Sequence, residues 1–405
     1  MTFLVLCFFG GISPIGLTPK AAYLDNVKTF RGTEMVVSVQ YPNVWIGPNA
    51  AFWIRHGALF APCLRSDHKI NVMLSKQDYQ TSDPLGCCEV EARNTAGTTT
   101  QLQCYEYTYN VGYWLSIECS LRPAGANNIA HILKPCCYQL TGECKLTTHQ
   151  HCTFLGGYYH AQGPEHCSKV NCLADICGVG GLSMQADPET PYMPTRPNQW
   201  WRLLISPFYH NGILHLILVL IPQLLFAVPI ERMAGGVRLF FIYFVSEVTG
   251  NLLASLFTPY LPHLGGSAAV CGLISVQSIE LAQSWVLVQR PHKLILKLVA
   301  ILIVFLLSGT LPYLDNFAHL GGFVAGSLAA VIFLPYIVFG QWHSRRRRIL
   351  LILAIPSLVA VLSMLLLLFY VVQAVDFCTA CQYINCIPYT LYLCNSTWYN
   401  PQPSV

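Results

Sequence analysis

The sequence has few charged residues for its length. Only 10% of its 405 residues are Asp, Glu, Lys or Arg, whereas 54% are hydrophobic and the mean hydropathy is +0.46. Soluble globular domains carry about 25% charged residues, so this composition predicts a polytopic membrane protein with a sizeable water-facing part. The sequence also lacks a phosphate-binding loop, a nucleic-acid-binding signature and an internal repeat. We therefore expect no cofactor and no nucleic-acid partner.

The N-terminal apolar run, residues 1–17, has no basic residue near its start. A signal peptide would begin with basic residues and end at a small-residue cleavage site. The run is also short for a membrane span, which needs about 20 residues. We therefore interpret residues 1–17 as the end of a first span whose N-terminal part precedes this chain.

Six further apolar runs are each long enough to cross a bilayer. They cover about 213–230, 239–257, 266–285, 294–311, 317–339 and 349–372. The short connections at 258–264 and 312–315 contain no Lys or Arg. Basic residues lie on the other connections, at Arg232, Arg238, Arg290, Lys293, Lys297 and the four arginines at 345–348. Basic loops stay in the cytoplasm, so residues 18–199 and 374–405 are predicted to be luminal and residues 200–373 to form the membrane core.

Eighteen cysteines divide by position into one in the first run (Cys7), twelve between residues 63 and 177, one in a span (Cys271) and four between residues 378 and 394. An even number in each polar region is typical of disulfide pairing in an oxidising compartment. The twelve predicted partners are Cys63, Cys87, Cys88, Cys104, Cys119, Cys136, Cys137, Cys144, Cys152, Cys167, Cys172 and Cys177.

Zinc is the alternative for two of these clusters. Cys378-x-x-Cys381 and the histidines beside Cys152 have ligand side chains, but no second C-x-x-C stands at zinc-finger spacing, so we expect no metal. Asn395 heads the only N-x-[ST] acceptor, and we expect it to be glycosylated in the lumen. Within the luminal domain, alternation at 35–41 predicts a strand, while 97–100 and 124–128 are typical of exposed loops.

Two of the apolar runs begin with a stretch of small residues, and each stretch contains one side chain that could take part in catalysis. Ser267 lies in 264–272, and His319 lies in 316–326. The predicted topology places both near the luminal ends of their helices, where an imidazole could take the serine proton. Small residues let such helices approach closely, and an intramembrane histidine is a functional-site hypothesis by default. The alternative is a glycine-rich helix crossing with an incidental serine. The glycines expected at this packing are Gly265, Gly321, Gly322 and Gly326.

The surrounding motifs together resemble the rhomboid family of intramembrane serine proteases. They are Trp201-Arg202, His210, His215, Glu231-x-x-x-Gly235, Gly265-x-Ser267 and Ala318-His319-x-Gly321-Gly322-x-x-x-Gly326. The resemblance implies an all-α, rhomboid-like six-helix core plus one extra span. It also implies a dyad of Ser267 and His319, with His215 helping to hold the oxyanion. Val219 stands where the family has an asparagine, and Ala268 where it usually has glycine.

The other motif residues are predicted to be structural. Trp201 marks the membrane interface, and the Arg202 guanidinium lies among headgroups or luminal-loop carbonyls. His210 faces water or a carbonyl at a helix start, and Glu231 closes its motif after the second span.

The cysteine-rich region extends the resemblance to the iRhoms, the inactive rhomboid proteins. Its matching motifs are Ser13-Pro14-Ile15-Gly16, Trp45-Ile46-Gly47-Pro48, His56-Gly57-Ala58, Gly86-Cys87-Cys88, Pro135-Cys136-Cys137 and Cys167-x4-Cys172-x4-Cys177. The iRhoms usually carry Gly-Pro-Ala-Gly where this chain has Gly265-Gly266-Ser267-Ala268, so here the blocking proline is absent and a serine is restored.

Two functions follow from the resemblance. As an iRhom-like pseudoprotease, the protein would bind single-span membrane clients, such as ADAM-type metalloproteases and EGF-like growth-factor precursors, in the endoplasmic reticulum, Golgi or at the cell surface. As a rhomboid protease, it would cleave with Ser267 and His319. Because losing one oxyanion donor costs roughly two to three decades in rate and Val219 cannot donate, the residues favour the pseudoprotease.

Overall fold

A computed structural model of the chain describes most of the region from residue 20 to residue 385. The described residues are 20–40, 45, 47–48, 50–67, 83–122, 129–138, 140, 142–178, 197–310, 314–335, 340–372 and 382–385. The predicted span at 1–17, the predicted loop at 124–128, the tail cysteines and Asn395 lie outside these residues.

The N-terminal, disulfide-rich region is built on two β-sheets. Strands β1 (Lys20–Thr29) and β2 (Gly32–Gln40) form an antiparallel hairpin, which confirms the strand predicted at 35–41 over residues 35–40; Tyr41 lies outside the described residues. The second sheet contains β3 (Leu85–Val90), β4 (Thr95–Thr100), β5 (Tyr113–Leu115), β6 (His131–Tyr138), β7 (Glu143–Thr147) and β8 (Tyr158–Tyr159). Its order is β5-β3-β4-β6-β7, with β8 also paired to β6; β4 and β6 run parallel. The short helices of this region are α1 (Ala50–Arg55), α2 (Ala61–Leu64), α3 (Gln101–Thr108), α4 (His149–Phe154) and α5 (Cys172–Cys177).

The exposed loop predicted at 97–100 is wrong. These residues form the second part of β4, and every residue of β4 is buried. Glycine and threonine are common in loops, but β-branched threonine also favours strands. Gly97 is needed because a Cβ there would lie 2.6 Å from Cζ of Phe30, whose ring covers the strand.

All twelve cysteines between residues 63 and 177 form disulfides, which confirms that prediction. The pairs are Cys63–Cys177, Cys87–Cys119, Cys88–Cys104, Cys136–Cys152, Cys137–Cys172 and Cys144–Cys167. No thiolate from this set remains to ligate a metal. The Cys63–Cys177 bond spans 114 residues and joins α2 to α5. Long closed loops of this kind restrict the unfolded chain most strongly.

The buried side chain of His166 makes the stability of the disulfide-rich region depend on pH. The backbone N–H of Ser168 donates to His166 Nδ1 (3.2 Å), and His166 Nε2 donates to Oε1 of Gln103 (2.7 Å), so the ring is neutral. Burial, helped by the charge of Lys169, lowers the pKa of His166 to about 4. In the unfolded chain the pKa returns to about 6.5. Between these values the unfolded chain binds more protons than the folded one, so stability is lost as the pH falls.

We expect the free energy of unfolding to fall by about 2 kcal/mol between pH 7 and pH 5 through His166 alone. Urea unfolding of the full chain with its disulfides intact measures this slope. His166→Gln should flatten it, because glutamine does not titrate, while substitution of the exposed His149 by Gln is the matched control. Equal slopes for wild type and His166→Gln would contradict the assignment.

The membrane core follows as a helical bundle. After α6 (Arg202–Ile205) come α7 (Gly212–Ala234), α8 (Gly236–Phe257), α9 (Ser267–Gln283), α10 (Pro291–Ser308), α11 (Asn316–Phe333) and α12 (Gln341–Leu367), the last continued to residue 372 by a π-helical turn. All of these except α6 and α9 are long and apolar enough to span a membrane. The predicted fold class is confirmed: a helical multi-pass core follows a disulfide-rich region.

Helix α9 is shorter than its apolar run. The run predicted at 266–285 becomes a helix of 17 residues, slightly below the length that a lipid-facing span needs. Its first ten residues, 267–276, are all buried. Protein rather than lipid therefore surrounds most of α9, and it occupies the centre of the bundle.

Candidate active site

Helices α8, α9 and α11 meet through small residues. A Cβ added at Gly322 of α11 would lie 2.0 Å from the carbonyl oxygen of Ala268 in α9. A Cβ at Gly326 would lie 2.5 Å from Cα of Gly272, also in α9. Gly321 faces the other neighbour, since its Cβ would lie 2.9 Å from Cα of Gly250 in α8. The backbones touch only because these side chains are absent, which places α11 between α8 and α9.

Gly265 has a different role from the helix-packing one predicted for it. Its φ of +81° is a conformation that glycine adopts readily and other residues rarely. A Cβ there would lie 2.9 Å from Nε2 of His215. Gly265 therefore forms the turn that starts α9 at Ser267, and it seats the backbone against His215.

His319 lies in the first turns of α11 and is 1% exposed. The Asp315 side chain caps this helix, accepting the N–H groups of Phe317 (2.6 Å) and Ala318 (3.1 Å). Phe305 of α10 meets the imidazole edge-to-face, with 5.7 Å between ring centroids. No side chain among the described residues is hydrogen-bonded to either ring nitrogen of His319. Ser267, which is also buried, is therefore not hydrogen-bonded to His319.

A tail segment contacts the N-terminal end of α11. Helix α13 (Gln382–Asn385) places Asn385 where its Nδ2 donates to Oδ2 of Asp315 (2.7 Å) and its Oδ1 accepts the N–H of Asn316 (2.9 Å). Asn385 is 2% exposed. No sequence signal pointed to this contact, because it joins residues 70 positions apart.

His215, on α7, presents an unpaired donor. The backbone N–H of Asn211 donates to Nδ1 of His215 (3.1 Å), which leaves the proton on Nε2. That Nε2 is buried and has no partner among the described residues. Val219, one turn further along α7, is 1% exposed and adds no donor. His210 is half-buried, with its ring centroid 5.5 Å from that of His215.

Sequence reasoning missed Glu247 of α8. Its side chain is buried; Oε2 accepts the N–H of Ala269 (2.9 Å), and Oε1 accepts Nδ2 of Asn251 (3.0 Å). Ala269 is the third residue of α9, so the carboxyl lies at the same helix end as Ser267. The signal was present, because Glu247 is the only acidic residue in the apolar run 239–257.

Arg202 joins the two parts of the chain. It is 0% exposed, and Nη1 donates to the carbonyls of Ile54 (2.7 Å) and Ala58 (2.6 Å) while Nη2 donates to that of Cys177 (2.8 Å). The sequence predicted this guanidinium either among lipid headgroups or among backbone carbonyls of the disulfide-rich region, and the structure shows it among those carbonyls. The guanidinium also lies 5.2 Å from the ring centroid of Trp201. Glu231 is exposed in the last turn of α7 and takes no part in this junction.

Residues 197–336, from just before α6 to the end of α11, match the family described as "Rhomboid domain". The chain contains a rhomboid domain. Ser267, His319, His215 and Glu247 all lie within the matched residues, whereas α12 and the disulfide-rich region lie outside them.

The rhomboid domain and its flanks are similar to curated proteins named inactive rhomboid proteins. Human inactive rhomboid protein 1 is 30% identical over 447 residues, covering 97% of this chain and 50% of the relative. Inactive rhomboid protein 1 of Danio rerio is 29% identical with the same coverage, and so is human inactive rhomboid protein 2. The chain spans about half the length of these relatives. The similarity includes the disulfide-rich region, as the sequence motifs predicted.

Proposed function

We propose that this protein is a rhomboid-like pseudoprotease that binds membrane-anchored clients and controls their trafficking, maturation or degradation. The observation that carries the proposal is the state of the dyad. His319 makes no hydrogen bond to Ser267, although a working base must reach the proton that it removes. Because the side chain of Val219 cannot donate a hydrogen bond, only His215 of these two residues on α7 offers a side-chain donor. The names of the relatives agree with a protein that does not cleave.

The proposed clients are single-span proteins such as ADAM-type metalloproteases and EGF-like growth-factor precursors, so the protein would regulate growth-factor signalling. We place the disulfide-rich region, residues 18–199, and the tail, residues 374–405, in the lumen of the endoplasmic reticulum and Golgi or at the cell surface. Six disulfides support this placement, because such bonds persist in oxidising compartments. Asn395 is the proposed glycosylation site.

An active intramembrane protease is the second candidate. It is favoured by Ser267 at the N-terminus of α9 and by the buried, unpaired Nε2–H of His215. That N–H is the kind of donor that stabilises an oxyanion. The two candidates differ in one measurable property, the reactivity of Ser267.

A fluorophosphonate probe on the purified full chain tests the proposal. We expect no labelling of the wild type and unchanged client export for Ser267→Ala, because the hydroxyl is an ordinary small polar group at a helix crossing. Val219→Asn adds an amide donor one turn after His215. It should raise any weak labelling by roughly tenfold to a thousandfold.

Labelling of the wild type that is lost in both Ser267→Ala and His319→Ala would overturn the pseudoprotease in favour of the protease. The two losses should then be similar, because nucleophile and base act as a unit. His292→Ala, at an exposed histidine on α10, is the matched control for the loss of an imidazole.

A further inference from the structure

Helix α12 begins with a cluster of basic side chains at the depth of the lipid headgroups. Four consecutive arginines, 345–348, end directly before the apolar run that starts at Ile349. A helix rises about 1.5 Å per residue, so these four positions span about 5 Å along its axis. The headgroup layer on each side of the hydrocarbon core is about 5–7 Å thick. When the apolar run crosses the bilayer, all four guanidiniums therefore lie within reach of lipid phosphates.

One of the four arginines lies on the side of α12 that packs on the bundle. The buried residues of this helix are Ala354, Leu358 and Leu365. Arg347 lies seven positions before Ala354, and residues seven apart share a helix face. Arg347 is accordingly half-buried, whereas the other three arginines are exposed.

Arg345 lies on the opposite side of α12, which faces lipid. Ile349 and Ile352, four and seven positions further along, share its face and are exposed. Because α12 is long and apolar enough to span a membrane, exposed isoleucines on it contact acyl chains. Arg346 and Arg348 are exposed on either side of Arg345. One helix face thus offers donors for a phosphate and, directly below them, an apolar surface for the attached chain.

The positive charge of this cluster is not balanced by the protein. No carboxylate among the residues that the structure describes lies within salt-bridge distance of the four guanidiniums. The first turn of α12 contains no acidic residue, and its N-cap, Gly340, has no side chain to bind the first amides. The N-terminal end of a helix is itself electropositive, so cations there are unfavourable. Repulsion between Arg345 and Arg348, three positions apart, adds to this. A bound anion would relieve both effects.

Trp342 adds an aromatic ring to the lipid-facing side. Its indole is exposed, and Cζ of Arg346 lies 5.7 Å from the ring centroid. A cation–π contact of this kind is attractive, and tryptophan favours the headgroup layer. The contact holds one guanidinium at headgroup depth, where its fork of N–H donors matches the oxygens of a phosphate.

We propose that the start of α12 binds a phosphoinositide, an anionic phospholipid whose inositol ring carries a phosphomonoester. Arg345, Arg346 and Arg348 present three positive charges to the headgroup layer. A zwitterionic phospholipid has no net charge to balance them, and phosphatidylserine has a single negative one. A phosphomonoester carries about −1.5 to −2, and with the charge of the phosphodiester the headgroup comes close to matching the three arginines.

The predicted topology agrees with this ligand, because it places the start of α12 in the cytoplasmic leaflet, where inositol lipids contribute to the negative surface potential. The site lies at the opposite end of the bundle from Ser267 under that topology. The inference therefore goes beyond the proposed function, and it stands whether or not the protein cleaves.

Titration of dioctanoyl phosphatidylinositol 4-phosphate against the purified full chain in a neutral detergent tests the proposal, with the dissociation constant measured by microscale thermophoresis. We expect saturable binding that weakens about fivefold in Arg345→Gln and about a hundredfold when Arg345, Arg346 and Arg348 are all replaced by Gln. Arg347→Gln is the matched control. It removes the same charge from the bundle-facing side, and its affinity should stay within about twofold of the wild type.

Four results would overturn the proposal. The first is the absence of saturable binding to the wild type. Equal affinity for dioctanoyl phosphatidylserine would show that the cluster attracts any anionic lipid. If free inositol 1,4-bisphosphate competes as strongly as the lipid binds, the ligand is a soluble phosphate and the apolar stripe plays no part. An equal loss in Arg347→Gln and Arg345→Gln would mean that net charge rather than this helix face decides binding. Size-exclusion chromatography checks that each variant is folded, and the single variants decide if the triple one is not.

Discussion

Gly322→Ala is expected to destroy the contact between α11 and α9, although it adds a single methyl group. The new Cβ would lie 2.0 Å from the Ala268 carbonyl oxygen and 2.6 Å from its carbonyl carbon. These are backbone atoms of a buried helix, so no change of rotamer relieves the clash. Overpacking of a core costs about 1–3 kcal/mol even where side chains can move, and we expect at least the upper end of that range here.

Thermal unfolding of the purified protein in detergent, followed by size-exclusion chromatography, measures the loss. Gly236→Ala is the matched control: Gly236 is also helical, and its Cβ would make an ordinary contact at 3.4 Å with the side chain of Glu231. It should be neutral or slightly stabilising, because alanine favours helix over glycine. Equal melting temperatures for Gly322→Ala and the wild type would show that α9 and α11 do not touch at this point.

Arg202→Met should release the disulfide-rich region from the bundle. The substitution keeps an unbranched apolar side chain but leaves the carbonyls of Ala58 and Cys177 without the Arg202 donor, while the carbonyl of Ile54 keeps the N–H of Gly57 (3.1 Å). Each unsatisfied buried group costs about 1–3 kcal/mol, so the two together remove a large part of the roughly 5–15 kcal/mol that stabilises a domain. Burial lowers the pKa of Arg202 to about 9, and the guanidinium therefore still carries its charge at neutral pH.

Hydrogen exchange reports this release directly. Leu59 and His263 exchange backbone hydrogen bonds in both directions, at 3.3 and 2.9 Å, across the junction between the two parts. We expect both amides to lose protection in Arg202→Met while the amides of β3 and β4 keep theirs behind the disulfides. Arg238→Met, at an exposed arginine in the first turn of α8, is the control. Full protection of Leu59 in Arg202→Met would show that apolar packing alone holds the junction.

Much of this architecture was predictable because it depends on composition and spacing. Long apolar runs identify membrane helices whatever their neighbours, so the multi-pass fold class followed from hydropathy. The even number of cysteines between residues 63 and 177 predicted that all of them pair. The positions predicted for the helix ends were less accurate. The run predicted at 294–311 is a helix that starts at Pro291, since proline fits the first helical position and hydropathy does not register it.

The site shows where such reasoning stops. Ser267, His319 and His215 were found as residue types in motifs, and the structure brings them to one end of the bundle. Contacts between helices, however, were not found: Ser267 and His319 share no hydrogen bond, and the carboxyl of Glu247 lies at the start of α9. Glu247 and Ala269 are 22 positions apart, on different helices. Sequence spacing describes neighbours within one helix, and it carries no distance between two.

By itself the sequence determined what each segment could become: apolar runs that must be helical in lipid because their backbone polar groups have no other partner there, cysteines in numbers that can all pair, and a serine and a histidine among small residues. Only the tertiary structure decided which cysteines pair, that 97–100 is a buried strand, that Arg202 binds the carbonyls of Ile54, Ala58 and Cys177, and that Asn385 binds Asp315. The physical reason is common to all four. Each contact joins segments far apart in the chain, and its free energy comes from burying groups together, which is a property of the packed molecule rather than of any segment within it.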